Sequence, residues 1–231
     1  MLVATSATAS TTQRSTSSTI PMEKDTIYYL YDPLCGWCYG FSPVMQAFEK
    51  QNKDNFHFEI ISGGMMTGSN VQSYAAMKNF ISGAYKRVEN GTGIKFGEAF
   101  LKALDKGTAT FSSTEPSIVL EVFKSYQPEN AIAFASNIQK AIYLDGIEPT
   151  VFEQYKPYVE KWGIDFAEFL SKTKEAIFVA KTNAGFRQSS NFGVSGFPTV
   201  ILSQKGKKKV LVEGYASLEQ LQAQLVSASK R

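Results

Sequence analysis

The sequence predicts an α/β protein in which a large, all-helical segment separates a β-α-β half from an α-β-β-α half. Three observations carry this reading. A continuous β-prone run, Thr26–Tyr31, leads straight into a helical stretch that begins at Cys35 and Cys38 and is followed by an alternating strand at 56–61. From about 65 to 190 the apolar residues recur at helical spacing. After Gly193 two β-rich segments and one amphipathic helix close the chain.

Taken in order, Thr26–Tyr31 is apolar at successive positions, as expected of a strand buried on both faces, and Asp32-Pro33 stops it. The first helix carries Phe41, Val44, Met45 and Phe48 to about Gln51, with Pro43 as a kink. Residues 56–61 alternate Phe56, Phe58 and Ile60 with His57 and Glu59, and Gly63-Gly64 ends them. A right-handed unit with parallel strands follows. In the helical segment Asn70 is placed to cap a helix bearing Tyr74, Ile81 and Tyr85. A second helix covers 96–106 and stops at Gly107. Thr114-Glu115-Pro116 starts a third, and 130–144 forms a fourth ahead of Gly146. Pro149 and Asp165 open two more, and 172–190 forms a last long helix through Ile177, Val179 and Ala180. Residues 199–203 and 208–213 form a hairpin around Gln204-Lys205-Gly206-Lys207. Ser217 caps a terminal helix whose Leu218, Leu221 and Leu225 point inward.

Composition removes several classes of function. The chain has 231 residues, 43% hydrophobic and 19% charged, enough for a substantial core in one domain or a domain with a large insertion. A net charge of +3 makes no general electrostatic case for nucleic acid or an acidic membrane. No run approaches the roughly 18 apolar residues of a membrane span. Residues 1–23 read as a disordered tail rich in Ser and Thr, with Met22 as an alternative start. A secretory leader needs a basic start and a longer apolar core, whereas the apolar run here stops at Ala4. The expected location is therefore cytoplasmic, with export as the alternative.

Two cysteines and one histidine exclude a disulfide scaffold and a Cys/His zinc site built within one chain. Both cysteines stand in Cys35-Gly36-Trp37-Cys38. Such a pair is half of a metal site, a redox couple or two buried apolar residues. A zinc ion needs about four ligands, and His57 is the one other strong candidate, which leaves only a site shared between two chains. The position after a strand and at a helix start favours the redox reading, because backbone N–H groups and the helix dipole stabilise a thiolate there. Cys35 is then the exposed nucleophile and Cys38, one turn inward, the resolving thiol. Gly193-Val-Ser-Gly-Phe-Pro-Thr-Val200 precedes the hairpin. Alone, its proline is an ordinary loop residue at a strand boundary. In company with the cysteine pair, a cis Phe197–Pro198 bond is expected, leaving a backbone edge for an extended peptide.

Asp32-Pro-Leu-Cys-Gly-Trp-Cys-Tyr-Gly-Phe-Ser-Pro43, the Gly-Phe-Pro-Thr segment and the helical block resemble the DsbA-like family of thioredoxin-fold oxidoreductases, in the branch described as predicted protein-disulfide isomerases. The resemblance covers residues 24–230. It implies a thioredoxin fold whose two parts, 24–64 and 180–230, flank an inserted helical domain at 65–179. It also implies that Cys35 attacks, Cys38 resolves, and Pro198 is the cis-proline facing them. Trp37, Phe197 and Thr199 are the candidate substrate contacts. The implied activity is that of a thiol–disulfide oxidoreductase acting as protein-disulfide reductase, isomerase or oxidase. Disulfide- or thiol-containing proteins are its substrates, with glutathione or a thioredoxin-type protein as electron partner and no bound cofactor or metal. Two departures matter. Many thioredoxin-fold enzymes hold a buried carboxylate six residues before the first cysteine, where this chain has Tyr29, so the proton acceptor for Cys38 is unassigned. Asp32 is nearer, as a turn cap or as something more. The Gly36-Trp37 dipeptide lacks the histidine of strongly oxidising relatives, which leaves redox direction open.

Trp37, Tyr39, Phe41 and Phe197 are candidates for an apolar docking surface, Phe41 reading better as core. Gly63-Gly64-Met65-Met66 reads equally as a groove wall or as loop packing. Two rival functions stand beside the redox reading. One is a glutathione-dependent transferase or isomerase of kappa-class type, against which the second thiol speaks. The other is a non-catalytic peptide-binding chaperone.

Overall fold

The computed structural model describes residues 24–229, and the tail expected over 1–23 lies outside them. The first strand, β1 (Thr26–Tyr31), runs parallel to β2 (His57–Ser62), and helix α1 (Gly36–Asn52) connects them. Burial of β1 alternates between two apolar layers, as a strand covered on both faces requires. Ile27, Tyr29 and Tyr31 belong to the main core with Phe41, Met45 and Phe48 of α1. Leu30 packs on the other side with Ile61, Ile201 and Phe192. Pro43 sits inside α1 and cannot serve the Tyr39 carbonyl four residues back. The Ser42 hydroxyl donates to that carbonyl instead, at 3.0 Å.

The chain then departs from the all-helical expectation for a short distance. After a single 3-10 turn (Gly68–Asn70) it extends as β3 (Gln72–Ser73), which pairs antiparallel with β4 (Thr110–Phe111). Helix α2 (Tyr74–Thr92) consequently starts three residues later than the Asn70 cap implied. Its true cap is Ser73, whose Oγ accepts from the Ala76 N–H at 3.2 Å. Helix α3 (Glu98–Lys106) begins after Gly97, where close approach leaves no room for a side chain: a Cβ would stand 1.8 Å from the Leu144 carbonyl oxygen.

Helices α4 (Thr114–Lys124) and α5 (Ala131–Tyr143) form the apolar centre of the insertion. Phe123 and Phe134 stack there at 3.8 Å, with Trp162 edge-on to Phe123 at 5.3 Å. Pro149 lies in a turn, and the next helix, α6 (Lys156–Glu160), starts only after a further 3-10 turn. Asp165 caps α7 (Phe166–Thr173) by accepting from the Glu168 N–H at 2.8 Å. The helix expected over 172–190 is divided between α7 and α8 (Ala176–Asn191), so residue 180 lies within a helix. Ile177 and Val179 of α8 face solvent at 53% and 37% exposure, while Phe178, Thr182 and Ser189 form its buried face. Residues 178, 182 and 189 share one side of a 3.6-residue helix, and 177 and 179 flank it.

Strands β5 (Thr199–Gln204) and β6 (Lys207–Glu213) complete an open sheet of order β2-β1-β5-β6. Lys205 and Gly206 both have positive φ, the requirement of a two-residue type I′ hairpin. Helix α9 (Leu218–Ser229) opens on a reciprocal capping box between Ser217 and Gln220. It packs on β6 and α1, whereas α8 packs on β2 and α4. No helix among the described residues is long and apolar enough to cross a membrane.

The stack at the centre of the insertion gives a direct stability test. Replacing Phe134 with Ala should lower unfolding free energy by about 3–5 kcal/mol, measured as a loss of urea midpoint at constant slope. A change under 1 kcal/mol would mean that the stack does not organise the insertion.

Candidate active site

The loop between β1 and α1 builds the site. Asp32-Pro33 ends the strand, and Cys35, in extended conformation, becomes the N-cap of α1. Its Sγ accepts from the Cys38 N–H at 3.3 Å, so a sulfur occupies the place that a serine or aspartate oxygen usually takes. An orphan amide of the first turn thus points at the sulfur, the arrangement that favours a thiolate. Both cysteines are unpaired thiols. Cys35 retains 7% exposure, less than an exposed nucleophile was expected to show, because the Pro198 loop folds over it. Cys38 is wholly buried on the inner side of α1. Burial pushes the Cys38 thiol well above its ordinary pKa, and its hydrogen bond with Cys35 and the Cys35 charge add to this.

The Phe197–Pro198 peptide bond is cis. Pro198 is buried, and the Phe197 carbonyl accepts from the Cys35 thiol at 3.3 Å. Cys35 thus stands between the helix start and the loop. The backbone edge expected here is narrower than the sequence implied, since the Pro198 carbonyl already accepts from the Gly214 N–H at 2.8 Å. The Phe197 ring lies over Gly63, where a Cβ would overlap it at 2.1 Å, so glycine at this strand end is what lets the loop approach.

The candidate substrate contacts separate into two groups. Trp37 is 38% exposed and leans on α2 at Gly91, with Tyr215 at 6.4 Å. Phe197 is half-buried. Thr199, in contrast, is fully buried, and its hydroxyl donates to the Gly196 carbonyl at 2.8 Å. As the first residue of β5 it supports the loop and offers nothing to a substrate side chain. Tyr39 and Phe41 are core residues, which removes them from any docking surface. Met65 and Met66 do line an apolar groove with Leu34, Gly36, Phe80 and Tyr85, alongside the cysteine motif. His57 is exposed at the far end of β2. Among the described residues no group of three or more His, Cys, Asp or Glu side chains could hold a metal ion.

Ser113, Gln139 and Tyr143, which meet the cysteine loop at or beside Asp32, carry no sequence signal. Asp32 is fully buried and does more than cap its turn. Its Oδ1 accepts from the Leu34 N–H and from the Ser113 hydroxyl, both at 2.9 Å, and Oδ2 accepts from the Met65 N–H at 2.7 Å. Its backbone carbonyl takes the Cys35 N–H at 3.1 Å and the Gln139 amide at 3.3 Å. Tyr143 donates its hydroxyl to the Leu34 carbonyl. Ser113, Gln139 and Tyr143 come from the insertion, about 80 to 110 positions away in sequence. Burial raises the Asp32 carboxyl to about 6, against the lowering effect of its hydrogen-bond donors.

The thioredoxin family pattern matches residues 28–223 of the chain. A search of curated proteins by sequence finds no match. Among solved structures, a candidate protein disulfide isomerase from Nitrosomonas europaea superposes with a TM-score of 0.77 at 22% identity, covering 89% of this chain and 97% of that one. The cytosolic disulfide reductase DsbM from Pseudomonas aeruginosa gives 0.68 at 29% identity, covering 81% and 89%. Its structure with glutathione gives 0.70 at 26%, covering 89% and 100%.

The buried carboxyl predicts a pH dependence. Its folded value of about 6 lies above the ordinary 3.8, so the folded state holds the proton more tightly, and this contribution to stability is lost as pH rises through about 4 to 6. The stability advantage of the native protein over Asp32→Asn should therefore shrink by about 2 kcal/mol between pH 4 and 7. Urea unfolding of both proteins across that range checks it; an advantage that is flat with pH would refute the titration.

Proposed function

The chain belongs to the thioredoxin family, and on that premise we propose that it is a DsbA-like thiol–disulfide oxidoreductase working through Cys35 and Cys38. The observation that carries this reading is the placement of the Cys35 sulfur. It is held between the first-turn amide of α1 and the carbonyl of Phe197, next to a wholly buried second thiol.

In the reducing direction, the Cys35 thiolate attacks a substrate disulfide. One substrate sulfur leaves as a thiolate and the other is held in a mixed disulfide with Cys35. The Cys35 thiol then no longer donates to the Phe197 carbonyl, which is left to accept from a backbone N–H of the bound substrate. Cys38 attacks the Cys35 sulfur, the Cys35–Cys38 disulfide forms, and the second substrate sulfur departs. The substrate has gained two electrons and two protons, and the dithiol has lost them. Trp37, Phe197 and the Met65 side chain, half open beside the motif, are the contacts we assign to the substrate.

We favour the reductase direction. The Gly36-Trp37 dipeptide adds no cation beside Cys35, so thiolate stabilisation rests on the helix start alone. The Pseudomonas reductase that resembles this chain has been solved with glutathione, which supports glutathione or another small thiol system as the electron source. Such a reductase belongs in a reducing compartment such as the cytoplasm.

Replacing Cys35 with Ser should abolish reduction of a model protein disulfide, whereas Cys38→Ser should accumulate a one-to-one mixed disulfide with substrate, visible by intact mass. Full activity in Cys35→Ser would overturn the mechanism. The reduction potential of the couple reports direction: near or below the cytosolic glutathione poise for a reductase, far above it for an oxidant.

A further inference from the structure

The thiol–disulfide reading leaves one chemical problem open, and this inference rests on that reading. Cys38 must act as a thiolate in a wholly buried place, where burial and the charges of Cys35 and Asp32 oppose it and a backbone hydrogen bond at Asp32 only partly offsets them. Something has to favour the negative sulfur at the moment of attack.

We propose that the Tyr29 hydroxyl is a hydrogen-bond donor kept for the Cys38 thiolate as it resolves the mixed disulfide. Tyr29 is 2% exposed and lies on the face of β1 that packs under α1. Its ring sits 6.0 Å from that of Phe41, the residue three positions after Cys38. The hydroxyl is buried and makes no aligned hydrogen bond in the resting dithiol, while the Cys38 thiol is within interaction reach of it. Buried hydroxyls are normally paired, so an idle one calls for a reason. Tyr31 and Tyr74 also have idle hydroxyls, but Tyr31 is near enough to Cys38 only to feel its charge and has Ser62 within hydrogen-bond reach, while Tyr74 stacks on Phe111. Burial, and after it the charges of Cys38 and Cys35, drive the Tyr29 phenol well above its ordinary pKa. It therefore keeps its proton and has it available to donate.

A thiol sulfur is a poor acceptor and a thiolate a good one. The contact is thus weak in the resting protein and strong when charge develops on Cys38, which is the condition for accelerating a step. In that step the Cys38 sulfur supplies the electron pair of the new Cys35–Cys38 bond, and the bond from Cys35 to substrate breaks. The substrate sulfur leaves with its electron pair and takes up a proton in place of the one Cys38 gave to solvent. Run backwards, Cys38 is the leaving group and the same donor serves it. The position that holds a carboxylate in many thioredoxin-fold enzymes would, in this chain, stabilise the thiolate and leave acceptance of the proton to solvent.

The test mixes the reduced protein with a symmetrical nitrothiobenzoate disulfide in a stopped-flow instrument. Two coloured thiolates are released in turn: the first by attack of Cys35, the second by attack of Cys38. Tyr29→Phe keeps the ring and its packing. It should leave the first release unchanged and slow the second on the order of tenfold. Tyr31→Phe, a control on the same face of the same strand, should leave both phases unchanged. An unchanged second phase in Tyr29→Phe would overturn the proposal, as would equal slowing of both phases or the same slowing in Tyr31→Phe. A wild-type protein that releases only one thiolate would instead sink the redox reading on which the proposal stands.

Discussion

The carboxylate of Asp32 is the point at which the parts of this protein are joined. It is fully buried, yet its two oxygens take donors from three places: its own turn at Leu34, the end of β2 at Met65, and the start of α4 at Ser113. Its carbonyl adds Cys35 and Gln139. A buried charge is tolerated only when its oxygens are satisfied. Each of these donors is thereby held in place, and with them the position of the Cys35 backbone. The insertion is therefore part of the active-site wall. Ser113, Gln139 and Tyr143 fix the loop that carries the cysteines, and α2 supplies the surface on which Trp37 leans.

The same burial that makes the clamp rigid shapes the chemistry. It raises both Asp32 and Cys38, and the two oppose one another's negative charge. Cys35 stands instead at the helix start, where a first-turn amide faces its sulfur. Two thiols three residues apart thus differ in character. One is presented to a narrow opening and one is sealed beneath it, the asymmetry on which the proposed division between attack and resolution rests.

Much of the architecture was legible because it is encoded locally. Strand β1, the cysteine helix, the Gln204–Lys207 hairpin, the Asp165 cap and the Ser217 capping box each rest on neighbouring residues, and the structure places them where the pattern implied. The misses share a cause. The Gln72–Ser73 strand exists only because Thr110–Phe111 pairs with it, and that pairing displaced the expected cap at Asn70. The last helix is marked in sequence by Ile177 and Val179, but both face solvent, because which stripe of α8 is buried depends on where β2 and α4 lie. Thr199 followed the proline motif into the list of substrate contacts, although its hydroxyl serves Gly196.

The sequence alone determined that two cysteines stand at a strand–helix junction, with a proline loop more than 150 residues later, and singled these out as the candidate site. Spacing suffices for that, because a first turn and a strand start are local structures. What only the tertiary structure decided is how the two segments meet and what surrounds them. It set the 3.3 Å contact between Cys35 and Phe197, the glycine at 63 that admits the loop, and the Asp32 clamp drawn from the insertion. It also left the Tyr29 hydroxyl buried without a hydrogen-bond partner on the side of β1 that packs under α1. Hydrogen-bond satisfaction and steric clearance between distant segments are properties of a packed interior, and no one-dimensional pattern carries them.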